Sequence, residues 1–305
     1  MIIEQSRKAK FVREMIAHFT ELGRFGQKIK EGKLQLWYQE RPWHCPRRFV
    51  QETIQLPHYS MEMIKPKVQQ SKILIFQIHG GGYIGGFNND YRNLACEYSD
   101  RTGGLDVLSV DYRLAPEYAF PKAFEDVVHA YRNALGMDYE DIIVVGDSAG
   151  GGLALALTYD CIQKGLKRPL ALVAMSPWTD LTLSGESLDT NYTKDPLFGN
   201  TRDSLIYNRS YVGASDPKSP YLSPLFASYA DFPPLLIQVG AYEMLLSDST
   251  RVAEKAKAAG GDVILSVYPG MFHNFQKALH LFEESIQAWR EVENFLSPFV
   301  SKRAV

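Results

Sequence analysis

The chain has 305 residues, of which 45% are hydrophobic and 22% charged, and its formal net charge is −2. That is enough apolar material for one large α/β domain or a domain with a lid, and with no basic excess nucleic-acid binding has no compositional support. Three cysteines, Cys45, Cys96 and Cys161, stand far apart without Cys-x-x-Cys spacing, which points to neither a zinc site nor a disulfide framework and fits a reducing cytosol.

The N-terminal stretch MIIEQSRKAKFVREMIAHF is charged throughout, unlike a secretory signal, and no segment approaches a membrane span. A soluble cytoplasmic protein is expected, with homo-oligomerisation left open. Residues 4–22 predict an amphipathic helix whose Phe11, Met15, Ile16 and Phe19 are assigned to the core by their spacing. Residues 48–56 and 59–64 predict two strands joined by a turn at Pro57 and His58. KILIFQI at 72–78 predicts a fully buried strand, followed by a helix over 88–101, a strand over 105–110 and a helix over 121–135 with Pro121 in its first turn. Further strands are expected at 142–146, 170–175, 235–239 and 263–268, with helices after 148, over 249–259 and over 280–296. This alternation implies an α/β fold with a mostly parallel eight-stranded sheet and helices on both faces.

The stretch between Pro177 and Pro234 is rich in Ser, Thr, Asn, Asp and Tyr and is too long for an idle connection. It reads as a lid over the carboxyl ends of the strands, shared with the N-terminal helix. The expected organisation is an N-terminal cap segment at residues 1–45 and a catalytic domain at 46–305 carrying a cap insertion at about 182–215. Met15, Phe19, Phe198 and Tyr207 either line a pocket beneath the cap or pack the cap on itself.

Two stretches carry chemistry. IIVVGDSAGGGLALAL, at 142–157, sets a β-branched run against a helix-forming one, with Gly146, Asp147, Ser148, Ala149 and Gly150 on the corner. A Gly-x-Ser-x-Gly corner holds its serine exposed on a strained strand-to-helix turn, beside helical N–H groups that face developing negative charge. The second stretch, His79-Gly80-Gly81-Gly82 directly after KILIFQI, supplies residues without Cβ whose N–H groups can turn toward an oxyanion. His79 is read as a brace for that loop. Gly80, Gly82 and Gly85 also match a dinucleotide fingerprint with Asp106 about twenty residues on, but Phe87 to Asp90 delays the helix that pyrophosphate binding needs. No cofactor and no metal are expected.

A nucleophilic serine needs a base, and the base needs a carboxylate. Of seven histidines, His273 follows the last strand in YPGMFHNF, where a loop can reach Ser148. His18, His129 and His280 fall on predicted helices, and His44 and His58 in early loops. The acid is expected after the strand at 235–239, with Glu243 preferred and Asp248 read as the N-cap of the next helix. Asp180 is a third candidate, and Asp195-Pro196-Leu197 is set aside because it precedes that strand.

HGGG at 79–82, DYRLAPE at 111–117, GDSAGG at 146–151, SPWTDL at 176–181 and the late His273 together resemble the hormone-sensitive-lipase-like family of α/β-hydrolases. The resemblance implies a carboxylesterase with a helical cap, acting on a small-molecule ester, with Ser148 as nucleophile, His273 as base and the N–H groups of Gly81, Gly82 and Ala149 as oxyanion hole. Where most of that family has Asp-Pro-Leu, this chain has Glu243-Met244-Leu245, as in a subset similar to bacterial acetyl-hydrolases. Arg113 and Glu117 of DYRLAPE are expected to pair as scaffold. A non-catalytic small-molecule receptor on the same fold, or a lactone or amide hydrolase, is the alternative.

Overall fold

A computed structural model describes residues 5–22, 28, 31, 42–68, 72–199, 206 and 209–301. From edge to edge the sheet runs β1 (Phe49–Gln55), β2 (Ser60–Pro66), β4 (Asp106–Asp111), β3 (Ile73–Ile78), β5 (Asp141–Asp147), β6 (Ala171–Met175), β7 (Leu235–Gly240) and β8 (Val263–Tyr268). β2 is antiparallel to both its neighbours, and every later pairing is parallel. Because β4, β3, β5, β6, β7 and β8 run parallel, their carboxyl ends share one edge, where open α/β sheets carry their sites.

Helices cover both faces because the central strands are apolar on both. Leu74, Phe76, Ile142 and Val144 join one core with Phe124 and Tyr131 of α3 (Lys122–Leu135), Leu153 of α4 (Ser148–Gln163) and Val252 of α6 (Leu246–Ala258). Ile73, Ile75, Ile143 and Val145, one residue out of phase, join the other with Leu94 of α2 (Asn89–Arg101) and Trp289 of α7 (Glu283–Ser301). The connection after β6 holds α5 (Ser187–Thr190) and a 3-10 turn, Pro224–Phe226.

α1 (Arg7–Leu22) forms as expected but turns its other face inward. Ala9, Val12 and Ile16 pack against Met271 and Phe272, while Phe11, Met15 and Phe19 are 62%, 42% and 61% exposed. Among the described residues Ile16 alone of the predicted core stripe joins this cluster, because the docking face is fixed by ties at the helix start. There Ser6 donates its N–H and Oγ to Glu284 at 2.5 and 2.8 Å, and Gln5 Nε2 donates to Gly270 O at 2.8 Å. At the far end Thr20 Oγ1 donates to Pro196 O at 2.8 Å, so α1 touches the insertion after β6.

Two helix boundaries differ from expectation. α6 begins at Leu246, which puts Asp248 inside the first turn instead of at the N-cap. α7 begins at Glu283, so His280 lies before it and pairs with Glu97 at 3.1 Å. Tyr207 lies outside the described residues, as do parts of both proposed cap segments.

Candidate active site

β5 ends at Asp147 and α4 begins at Ser148, which adopts φ +51°. A serine in the left-handed region is costly, of order 1–3 kcal/mol, and persists only where the surroundings over-determine it. Here they do. A Cβ on Gly146 would meet Gly150 O at 2.5 Å, and one on Gly150 would collide with Ile78 O of the neighbouring strand. Both glycines of the Gly-x-Ser-x-Gly pattern are therefore required by contact. Ser148 O accepts from Trp178 N at 2.9 Å, which ties the corner to the loop after β6.

The His79 loop leaves β3 on the adjacent strand. Gly81 and Gly82 have φ of +101° and +62°, and Gly81 O accepts from Gly85 N at 2.8 Å and Ile84 N at 3.2 Å, closing a tight turn. Among the described residues the N–H groups of Gly81 and Gly82 have no acceptor, and the N–H of Ala149 is among the unpaired donors of the first turn of α4. His79 is fully buried, stacks on Tyr112 with centroids 4.1 Å apart and donates Nδ1–H to Gly80 O at 2.7 Å. Burial pushes its pKa down to about 4, so at neutral pH it is an uncharged brace. α2 starts only at Asn89, capped by Asn88, so the glycine turn does not open a helix and the dinucleotide reading lacks its central requirement. Among the described residues no group of three or more His, Cys, Asp or Glu could hold a metal.

The turns after β7 and β8 bring Glu243 and His273 together, with Glu243 Oε2 2.9 Å from His273 Nδ1. The carboxylate only accepts, so Nδ1 carries the proton and Nε2 is left as the basic nitrogen. Glu243 is fully buried, and its Oε1 accepts from Ser176 Oγ at 2.7 Å and from Gly240 N. Ser176, with φ +48°, also accepts from Asn274 N at 3.3 Å. Asn274 Nδ2 in turn donates to Asp147 Oδ2 at 2.7 Å, joining the residue after His273 to the residue before Ser148. Phe198, from the insertion, lies against the His273 ring with centroids 4.8 Å apart.

The other carboxylates have other partners. Asp248 accepts from Thr179 N at 2.7 Å and Asp180 N at 2.8 Å, pinning the loop after β6, and burial raises its pKa to about 7. For Asp180 burial acts upward, but donors from Ser184, Thr182 and Arg251 outweigh it and lower the pKa. Asp195, set aside as a candidate acid, accepts from Met244 N at 2.8 Å and so grips the turn that carries Glu243. Burial raises its pKa.

A family model of the alpha/beta hydrolase fold matches residues 75–277. An esterase of Acinetobacter venetianus is 39% identical over 236 residues, spanning 77% of each chain. An acetyl-hydrolase of Streptomyces hygroscopicus is 36% identical over 224 residues, 73% of this chain and 74% of that one. The crystal structure of an esterase from the bacterial hormone-sensitive lipase family superposes with a TM-score of 0.82 at 31% identity, covering 98% of this chain and all of that one. The chain belongs to the hormone-sensitive-lipase-like family of α/β-hydrolases.

Within that family framework one expected pairing is wrong. Arg113 of DYRLAPE pairs with Asp126 of α3, through Nη2 at 2.6 Å and Nε at 2.8 Å, and not with Glu117. A bidentate contact to a buried carboxylate on a helix is geometrically stronger than one to a neighbour four residues on in a proline-bounded loop. Ser176, Asp147 and Asn274 carry contacts that sequence reasoning did not single out. Ser176 opens SPWTDL and Asp147 lies inside GDSAGG, but neither pattern says what its side chain touches.

Proposed function

We propose that the chain is a serine carboxylesterase that hydrolyses small, short-acyl esters through an acyl-enzyme, with Ser148 as nucleophile, His273 as base and Glu243 as the acid of the triad. The observation that carries this reading is the 2.9 Å contact between Glu243 and His273 at the strand edge that also holds the strained Ser148 turn. A protein that merely bound a ligand would have no need of an imidazole whose tautomer is fixed by a buried carboxylate.

His273 Nε2 takes the Ser148 hydroxyl proton as Oγ attacks the ester carbonyl. The tetrahedral oxyanion is held by the N–H groups of Gly81, Gly82 and Ala149. As the carbonyl re-forms, the alcohol departs with the proton from His273, leaving the acyl group on Ser148. Water then attacks the acyl-enzyme, His273 taking its proton, and the carboxylic acid leaves with the serine restored. Glu243 holds the ring through Nδ1 and offsets the charge on the imidazolium.

α1 and the insertion after β6 form the cap. In support, Thr20 reaches Pro196, and Phe198 closes over His273. A cap seated over the nucleophile would bound the space for the acyl chain and so favour small acyl groups. Among the described residues no helix is long and apolar enough to cross a membrane, and Cys45, Cys96 and Cys161 are free thiols, which agrees with a cytoplasmic setting.

The test is covalent. A fluorophosphonate probe should label Ser148, and p-nitrophenyl acetate and butyrate should turn over faster than the decanoate. An unlabelled, ester-inert protein would overturn the assignment.

A further inference from the structure

Asp147 performs none of the chemistry described above, yet it is only 6% exposed and receives donors from three other segments. Its Oδ1 accepts from Gly80 N at 3.0 Å. Its Oδ2 accepts from Asn274 Nδ2 at 2.7 Å and from Tyr91 OH at 3.3 Å, with Lys277 Nζ 3.4 Å away. Lys277 also donates to the Tyr91 hydroxyl at 2.7 Å and sits 3.9 Å over its ring, so the phenol relays the cation to the carboxylate. A Cβ on Gly80 would come within 2.6 Å of Asp147 Oδ2 and 3.0 Å of Ser148 Cβ, a measure of how closely the oxyanion loop is drawn onto this side chain.

The anchors share a placement in the chain. Asp147 precedes Ser148, Gly80 precedes Gly81, and Asn274 follows His273. One carboxylate thus stands a single residue from the nucleophile, from the first oxyanion donor and from the base. We infer that Asp147 is a positioning residue that holds the nucleophile turn, the oxyanion loop and the base loop in one register. It acts only through its neighbours. Catalysis by preorganised dipoles depends on such registers, because a displacement of about 1 Å can cost on the order of 100-fold in rate. A buried acid that merely satisfied local N–H groups would contribute to stability alone.

This inference rests on Ser148 and His273 acting as nucleophile and base, which fluorophosphonate labelling of the parent tests separately. For the register, kcat and KM on p-nitrophenyl butyrate are measured per site titrated with an organophosphate, in Asp147→Ala, Asp147→Asn, Asn274→Gly and the double variant Asp147→Ala with Asn274→Gly. Asn274 has φ +56°, so glycine removes its amide without backbone strain.

Asp147→Ala should lower kcat per titrated site by roughly 100-fold with KM changed by less than about 3-fold. Asp147→Asn retains an acceptor for Gly80 and should lose roughly 10-fold. The double variant should be no worse than Asp147→Ala, since both changes cut the same tie. If Asp147→Ala does not fold, Asn274→Gly carries the test with an expected loss of roughly 10-fold in kcat. Parent-like kcat per titrated site in these variants, or losses that multiply in the double variant, would overturn the inference.

Discussion

Glu243 Oε2 meets His273 Nδ1 at 2.9 Å, although the two residues sit on turns after different strands, 30 positions apart. The contact is specified from the acid's side. Ser176 and Gly240 occupy the other carboxylate oxygen, so the acid has a single orientation in which to face the imidazole.

Replacing Glu243 by Gln should therefore lower kcat by roughly 100- to 10,000-fold, since an amide lets the ring take the wrong tautomer and withdraws the charge that stabilises imidazolium. Asp248→Asn keeps an acceptor for Thr179 and Asp180 and should lose less than about 10-fold. Steady-state kinetics of the two variants side by side decide the ranking, and a larger loss in Asp248→Asn would reverse it.

Ser176→Ala removes one donor from a fully buried carboxylate while leaving Gly240 N in place. An unmade hydrogen bond to a buried charged group costs about 1–3 kcal/mol. The expected result is a drop in kcat of roughly 5- to 100-fold with KM nearly unchanged, because Glu243 gains freedom to turn away from His273. Unaltered kcat would show that Gly240 N alone orients the acid.

Stability should depend on pH through Asp248. Its folded pKa is raised to about 7 by burial, above the value of an exposed carboxyl. Between about pH 4 and 7 the folded chain thus holds a proton that the unfolded chain has released. The contribution is full below that window and is lost as pH rises through about 7. His79, depressed to about 4, acts in the opposite sense, stabilising above its unfolded value of about 6.5 and losing that contribution as pH falls toward 4. Melting temperatures of the parent and Asp248→Asn, measured from about pH 4 to 8, isolate the first effect. The parent should lose ground to the variant as pH rises, and a difference independent of pH would contradict the assignment.

How much was legible in the sequence follows from the range of the forces involved. KILIFQI was readable as a central strand because all six residues of β3 are buried, and Gly146 and Gly150 were readable because contact excludes any larger residue there. That the turns carrying Ser148, Glu243 and His273 share one sheet edge was readable because a parallel sheet places successive loops there. Spacing could not reveal which face of α1 docks, since Phe11 and Phe19 compete with Val12 and Ile16 at equal periodicity and the choice is made by Ser6, Glu284 and Gln5. Nor could it pair Asn274 with Asp147 across 127 positions, or give Arg113 to Asp126 over the nearer Glu117. Those partners are set by the tertiary fold, where local pattern carries no information.

The central claim is that Ser148 forms a covalent bond with the acyl group of an ester. The most direct test is p-nitrophenyl butyrate hydrolysis by Ser148→Ala, with circular dichroism to establish that the variant is folded. The account predicts a fall in kcat of at least about 10,000-fold and no burst of p-nitrophenol. A folded variant that turns over at the parent rate would contradict it.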